Sequence, residues 1–450
     1  MSYNIIFYFT DQQRADTCGC YGQPLDVTPN LDRLAREGIK FEYAFSPQPV
    51  CGPCRALFQT GKYATDTGCF RNNLLLPAEV KTLANYIEEA GYETAYIGKW
   101  HLASDGEWEK TPRIDHTVTP IPKELRGGYT GFWRAADVLE FTSHGYDGYV
   151  FDEENNRIDF QGYRADCITD LALDFFDQRD TNKPFFMTIS HIEPHHQNDR
   201  KHYEGPEGSK EKYKNFVLPG DLEALKGDAA EEYPDYLGAC ANLDENLGRL
   251  INRLKEKGLY DDTIIIFSTD HGSHFKTRNL DAHRCGGDDY KRSCHDACLR
   301  VPLVIAGGPW KGGITVEELV STESLPKTIL AMAGVDVGEA MIGENLLDVV
   351  EKKDSNRPNQ VFAQISESRV GRCIRTAKYT YSVYAPGING GEEAASEVYA
   401  DDFLYDNEKD PFQLNNLIED SAYTQIKQEL REKLLDWIEK AEGYRPVIMD

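Results

Sequence analysis

The segment Cys51-Gly52-Pro53-Cys54-Arg55-Ala56-Leu57-Phe58-Gln59-Thr60-Gly61 holds the residues best suited to chemistry. Pro53 suits the first turn of a helix and Gly61 its end, so Cys51 is expected at the positive helix N-terminus with Arg55 one turn along the same face. A thiol and a guanidinium so placed make an anion site with a reactive group in it. Other residues able to hold a metal or an anion stand just after apolar, β-prone runs: Asp11 and Gln12, Lys99 and His101, His195, and Asp270 with His271. Singly, an Asp or His after a strand is more often a turn former or a helix cap. Their joint placement argues otherwise, because in an open parallel sheet the strand ends share a crevice where ligands bind.

The elements that must position these groups follow from periodicity. Residues 4–9 are a β-rich apolar run, and Thr28-Pro29-Asn30-Leu31 opens a helix with Thr28 as N-cap and Gly38 at its C-terminal cap. The alternation continues with a helix over 83–90 closed by Gly91, a strand over 94–97 and a loop from Gly98. Strands over 184–190, 263–268 and 301–305 and a helix over 243–257 follow. This predicts an α/β fold, an α/β/α sandwich around a large, mostly parallel sheet. The polar stretches 104–164 and 196–234 read as lids or substrate-binding insertions. Beyond residue 354 the texture changes: 361–367, 373–384 and 398–405 read as short antiparallel strands, and 423–441 as a helix with Leu430, Leu434, Trp437 and Ile438 on one face. The chain is expected to divide into a large α/β domain over 1–354 and a smaller C-terminal α+β subdomain over 355–450.

Composition limits the partners. Hydrophobic residues make up 40% and charged residues 28%, as in a globular protein. With 49 basic against 75 acidic residues the net charge is −26, which repels nucleic acid and anionic lipid and requires any anion-binding charge to be gathered in one pocket. No basic leader opens the sequence as given and no apolar run reaches bilayer-spanning length, so a cytoplasmic protein is expected. The 11 cysteines lack regular spacing and read as free thiols. Cys51-x-x-Cys54 could be a redox dithiol or half a zinc site, but it lacks a thioredoxin-sized βαβ context and a second Cys pair at suitable spacing.

Cys-x-Pro-x-Arg followed by Leu and Thr-Gly resembles the signature of the type I sulfatases, formylglycine-dependent enzymes of the alkaline phosphatase superfamily, in which the Cys is oxidised before folding is complete. The resemblance continues through Asp11-Gln12, Gly98-Lys99-Trp100-His101, Pro194-His195 and Thr269-Asp270-His271-Gly272. It extends to Lys291, nine residues before Arg300-Val301-Pro302, and to Leu404-Tyr405-Asp406 with Asp410-Pro411. It implies a sulfuric ester hydrolase acting on a sulfated carbohydrate or other small sulfate monoester, matured by a formylglycine-generating enzyme. It also implies that Asp11, Gln12, Asp270 and His271 bind one divalent cation with the oxygen of modified Cys51. Oxygen-rich ligation favours Ca²⁺, with Mg²⁺ or Mn²⁺ as alternatives. By the same resemblance Arg55 and Lys99 hold the hydrated aldehyde and the sulfate oxygens, His101 takes the proton that lets the intermediate collapse, and His195 with Lys291 serves the leaving group.

Two positions depart from the commonest pattern. Gln12 stands where a second Asp is frequent and so resembles relatives that also accept phosphodiesters or phosphonates, which makes a phosphodiester or phosphonate monoester hydrolase of the same superfamily the alternative, and Cys54 stands where Ser, Thr or Ala is frequent. His191 reads as structural and His196 as satisfied by a backbone carbonyl. His274, His295, Arg14 and Arg71 flank the motifs, and Cys285, Cys294 and Cys298 read as buried thiols near Lys291. The tyrosines of 129–149 could stack on a sugar or pack a lid against the core.

Overall fold

Alternate residues of the Asn4–Thr10 strand belong to opposite cores. Ile5, Phe7 and Phe9 share one apolar cluster with Ala56, Leu57 and Phe58, while Ile6 and Tyr8 share another with Leu31, Leu34, Leu247 and Leu250. A strand covered by helices on both faces needs no polar alternation, which is why residues 4–9 read as a continuous apolar run. The computed structural model describes residues 2–108, 110–279 and 290–449.

The Asn4–Thr10 strand lies at the middle of an eleven-stranded sheet. Its centre is five parallel strands in the order Thr263–Thr269, Asn4–Thr10, Phe185–Ser190, Glu93–Lys99, Phe132–Ala136. Val304–Ala306 pairs antiparallel at one side, and Asp147–Asp152 antiparallel at the other. The α/β/α sandwich with a mostly parallel sheet is therefore the fold. The second, smaller sheet holds Gln360–Ile365, Gly371–Thr376, Tyr379–Tyr384 and Val398–Asp406 in antiparallel order, closed by a parallel Val447–Met449. The Thr424–Glu442 helix packs on it, burying Leu430, Leu434 and Ile438 in the same cluster as Ile5 and Phe7. Among the described residues no helix is long and apolar enough to cross a membrane.

Several local expectations change. The strand continues past Gly98 to Lys99; Gly98 has φ +102°, and a Cβ there would lie 2.0 Å from the Ser190 carbonyl oxygen, so this glycine marks close strand approach, not a loop. Residues 301–305 split into Arg300–Val301, in a separate three-stranded sheet, and Val304–Ala306. Pro302 has no N–H to donate, and Tyr21 Oη is bonded to both the carbonyl and the N–H of Leu303. Residues 373–384 turn at Ala377-Lys378 and form two strands. The 104–164 stretch holds four strands that extend the main sheet. The long helix is Ala229–Glu256, with Pro234 inside it, because Tyr233, Tyr236, Leu237 and Cys240 already form a buried stripe.

Thr28 precedes the Pro29–Glu37 helix but its side chain does not cap it. Asp244 does, from the long helix: its Oδ1 accepts the Leu31 N–H at 2.8 Å and its Oδ2 the Asn30 N–H at 2.9 Å. Asp244→Ala is expected to lower stability by about 1–2 kcal/mol, and Asp244→Asn by less, in denaturant unfolding. An unchanged midpoint for the alanine variant would refute the capping role.

Candidate active site

Neighbouring parallel strands bring their C-terminal ends together, and the groups that follow them meet there. Asp11 follows Asn4–Thr10, Lys99 ends Glu93–Lys99, His195 lies just beyond Phe185–Ser190, and Asp270 and His271 follow Thr263–Thr269. The turn off two strands is sharp: Gln12 and His101 adopt φ +66° and +62°, a backbone region unfavourable for residues with a Cβ. Hydrogen bonds hold both turns. Tyr236 Oη donates to the Gln12 carbonyl at 2.6 Å, and the His101 N–H donates to the Asp137 carbonyl at 2.6 Å.

Asp11, Cys51, Asp270 and His271 each place one ligand atom within 4.8 Å of the other three, and all four are buried. The Asp11 Oδ2 accepts from Lys99 Nζ at 2.8 Å and Arg55 Nη2 at 2.9 Å, leaving Oδ1 facing the Cys51 thiol at 3.5 Å. Burial and the Cys51 sulfur push this carboxyl up, but Lys99, His195 and Arg55 outweigh them and hold it below the usual carboxylate range. The Asp270 Oδ1 accepts the N–H groups of His271 at 2.9 Å and Gln12 at 3.0 Å. Its Oδ2 is buried with no hydrogen-bond donor among the described residues, and Arg55 Nη2 is 3.7 Å away. Burial, then repulsion from Asp11, pushes the Asp270 carboxyl up to about 7.

His271 donates from Nδ1 to the Gly272 carbonyl at 2.9 Å, a tautomer that turns Nε2 toward the cluster. Gln12 is tied to the group by its backbone N–H. Its amide makes long contacts, Oε1 to the His196 N–H and Nε2 to the Tyr203 and Ser273 hydroxyls, each 3.4 Å. Two carboxylates, one of them with an orphaned buried oxygen, and a ring nitrogen fit a divalent cation.

Cys51 begins the Cys51–Thr60 helix and is 1% exposed. Its sulfur lies 3.3 Å from His271 Nε2 and accepts from Lys291 Nζ at 2.9 Å. Burial alone would raise the thiol; Lys291, Lys99 and His271, with His101 adding to them, pull it well below its ordinary value. Lys291 also donates to His195 Nε2 at 2.8 Å, and His195 Nδ1 sits 2.5 Å from the His196 carbonyl. Burial and the Lys291 ammonium push His195 down to about 3, and burial lowers His101 as well. Arg55 lies one turn along the helix as expected, but its guanidinium is engaged by protein: Nη1 donates to the Lys99 carbonyl at 2.8 Å and Ser190 Oγ at 2.7 Å, and Nη2 holds Asp11.

The family model described as "Sulfatase" matches residues 3–335. The chain belongs to the sulfatase family. It is a sulfuric ester hydrolase of the alkaline phosphatase superfamily. The model described as "N-sulphoglucosamine sulphohydrolase, C-terminal" matches residues 288–440. An ulvan-active sulfatase of Formosa agariphila is 30% identical over 96% of this chain and 80% of its own length. An N-acetylglucosamine-6-O-sulfatase of Bacteroides thetaiotaomicron is 27% identical over 96% of this chain and 85% of its own. A structure solved with its substrate D-glucosamine-2-N,6-O-disulfate superposes with a TM-score of 0.76 at 24% identity, covering 99% of each chain.

Other expected residues of this sulfatase take varied places. His195 Nδ1 sits against the His196 carbonyl, while His196 Nδ1 faces Asn198 Oδ1 at 3.3 Å and its ring stacks on Tyr290. His191 is buried beside the Tyr8 ring, and His274 bonds the Lys291 carbonyl at 3.0 Å. His295 contacts Ser293 and Tyr405, away from the cluster. Arg14 is paired with Asp16 and Asp221, and Arg71 holds the Gly106 carbonyl. Cys54 turns its thiol to the Asp270 carbonyl at 3.3 Å. Cys294 and Cys298 are buried, and Cys285 lies outside the described residues. Tyr129 packs among Tyr96, Trp100 and Trp133, while Tyr146 is exposed at its edge contact with Tyr163.

The sequence reading missed Asp137, whose Oδ1 accepts the N–H groups of Leu102 and Ala103 and whose Oδ2 accepts from Ser104 Oγ, fixing the turn that carries His101. It follows the Phe132–Ala136 strand. The rule that found Asp11 and Asp270 applies to it too, but the strand lay hidden in a stretch read as a loop.

Proposed function

We propose that this sulfatase hydrolyses a sulfate monoester of a small carbohydrate, with formylglycine made from Cys51 as nucleophile and one divalent cation held by Asp11, Asp270, His271 and the modified Cys51 side chain, with Gln12 beside them. The convergence of Asp11, Cys51, Asp270 and His271 under Lys291 carries the reading. Asp11, Asp270 and His271 would hold the cation, Ca²⁺ before Mg²⁺ or Mn²⁺ given the carboxylate ligands, which would supply positive charge beside the donorless Asp270 Oδ2 and toward the developing charge on oxygen. Formylglycine would supply a hydrated aldehyde: one hydroxyl would attack sulfur as the ester S–O bond breaks and the alcohol leaves, and loss of the other hydroxyl's proton would then reform the aldehyde and break the C–O bond to sulfate.

The protein's own groups do the rest. Lys99 and Lys291 supply cations for the sulfate oxygens; Arg55 acts through Asp11, which it orients. Lys291 stands between the nucleophile and His195, so the leaving oxygen receives its proton through the pair: Lys291 Nζ holds it and His195 Nε2 faces it. His101, whose imidazole burial favours in the neutral form, is assigned the proton released when the intermediate collapses. Because Cys51 is 1% exposed, a formylglycine-generating enzyme must act before the chain folds.

A net charge of −26 favours a small substrate over an extended polyanion, and the sugar sulfates named for the relatives support a sulfated sugar. With Cys51 conversion confirmed by mass, kcat/KM should be higher for a sulfate monoester than for a phosphodiester with the same leaving group. Both are monoanions, so the comparison isolates the site's preference. A clear preference for the diester would overturn the substrate assignment and give Gln12 the significance its amide suggests.

A further inference from the structure

We infer that Glu367 is a positioning residue of this active site, through which the C-terminal sheet sets the places of both Cys51 and Lys291; the inference rests on the function proposed above. Glu367 sits in the connection between Gln360–Ile365 and Gly371–Thr376, is 0% exposed and adopts φ +62°. Its N–H donates to the Gly390 carbonyl at 2.9 Å, which holds this unfavourable backbone in place.

Its two carboxylate oxygens face different loops. Oε1 accepts the Asn72 N–H at 2.6 Å, and Asn72 Oδ1 in turn accepts the Gly52 N–H at 2.8 Å. Gly52 follows Cys51, and its N–H is one of the first-turn amides that the helix cannot satisfy itself. Oε2 pairs with Arg292 Nε, one residue from Lys291. Neighbouring contacts run the same way. Ser368 Oγ donates to the Arg292 carbonyl at 2.8 Å, the Arg292 N–H donates to the Pro49 carbonyl at 3.3 Å, and Gln48 Nε2 donates to Ser366 Oγ at 3.0 Å.

An ordinary buried ion pair would tie the small sheet to itself. Both Glu367 partners instead lie outside it, 295 and 75 residues away in sequence, beside the nucleophile and beside the lysine that touches it. The Lys291–Cys51 contact of 2.9 Å depends on two loops that have Glu367 as a common partner. Releasing them shifts the reacting groups against each other without removing any of them.

The test uses the full-length, metal-loaded, Cys51-converted enzyme and two variants, Glu367→Ala and Glu367→Gln. With an aryl sulfate, the alanine variant should lose about 10- to 100-fold in kcat with KM within about threefold of wild type. Glutamine keeps an acceptor for Asn72 but no charge for Arg292 and should recover part of the loss. Amide hydrogen exchange gives a readout independent of activity. In Glu367→Ala, Gly52, Asn72 and residues 291–293 should exchange faster while Gly371–Thr376 and Tyr379–Tyr384 keep wild-type protection. Wild-type exchange at Gly52 and Asn72, or acceleration spread equally through those two strands, would overturn the inference. A wild-type enzyme inactive on every sulfate ester would sink the proposed function, and the exchange result would still decide the role of Glu367.

Discussion

Cys51→Ala is expected to remove sulfate-ester turnover, by about 10³-fold or more, while the protein keeps its fold. The side chain occupies the first position of the Cys51–Thr60 helix, where alanine is a good helix former, and Lys291 retains its contact with His195 when the sulfur is gone. What disappears is the sulfur that Lys291, His271 and Asp11 all face. Circular dichroism and the unfolding midpoint should match wild type, and steady-state rates with an aryl sulfate should fall to background. Near-normal activity in this variant would dismiss Cys51 as the nucleophile precursor and with it the assigned roles of Lys291 and His101.

Removal of the metal is expected to have an effect of similar size. Asp11 and Asp270 are both 0% exposed, and the Asp270 Oδ2 has no donor among the described residues, so stripping the cation leaves negative charge in a buried site. Chelation should abolish activity and lower the unfolding midpoint, since an ion held by these residues would bind only the folded arrangement, and added Ca²⁺ should restore both. Asp270→Ala should reduce bound metal below stoichiometric levels. Burial and Asp11 push the metal-free Asp270 carboxyl up to about 7, so protons compete with the cation and reloading should weaken as pH falls through that value. A fully active preparation with no stoichiometric metal would refute the site.

How much of this was legible beforehand depends on the range of the interaction. The strand carrying Asp11, the strand ahead of Asp270 and the helix headed by Cys51 follow from apolar runs and from Pro53 and Gly61, all patterns within ten or so residues. So does the meeting of Asp11, Lys99, His195 and Asp270, once the strands are taken as parallel neighbours. The smaller sheet and its closing helix were also visible, although the hairpin turn at Ala377-Lys378 was not, because a two-residue turn without Gly or Pro leaves no mark in the pattern.

Tertiary structure alone decided the partners. Arg55 lies where the helix period puts it, yet whether its guanidinium faces a ligand or Asp11 depends on a strand 44 residues away. Asp244 displaces Thr28 as the helix cap from 213 residues away, and Glu367 reaches Asn72 across 295. Local sequence fixes periodicity, caps and turns because those depend on a few adjacent dihedrals and side chains. Which buried donor meets which acceptor depends on how layers pack, and a polar group shut away from water takes whatever partner the packing brings.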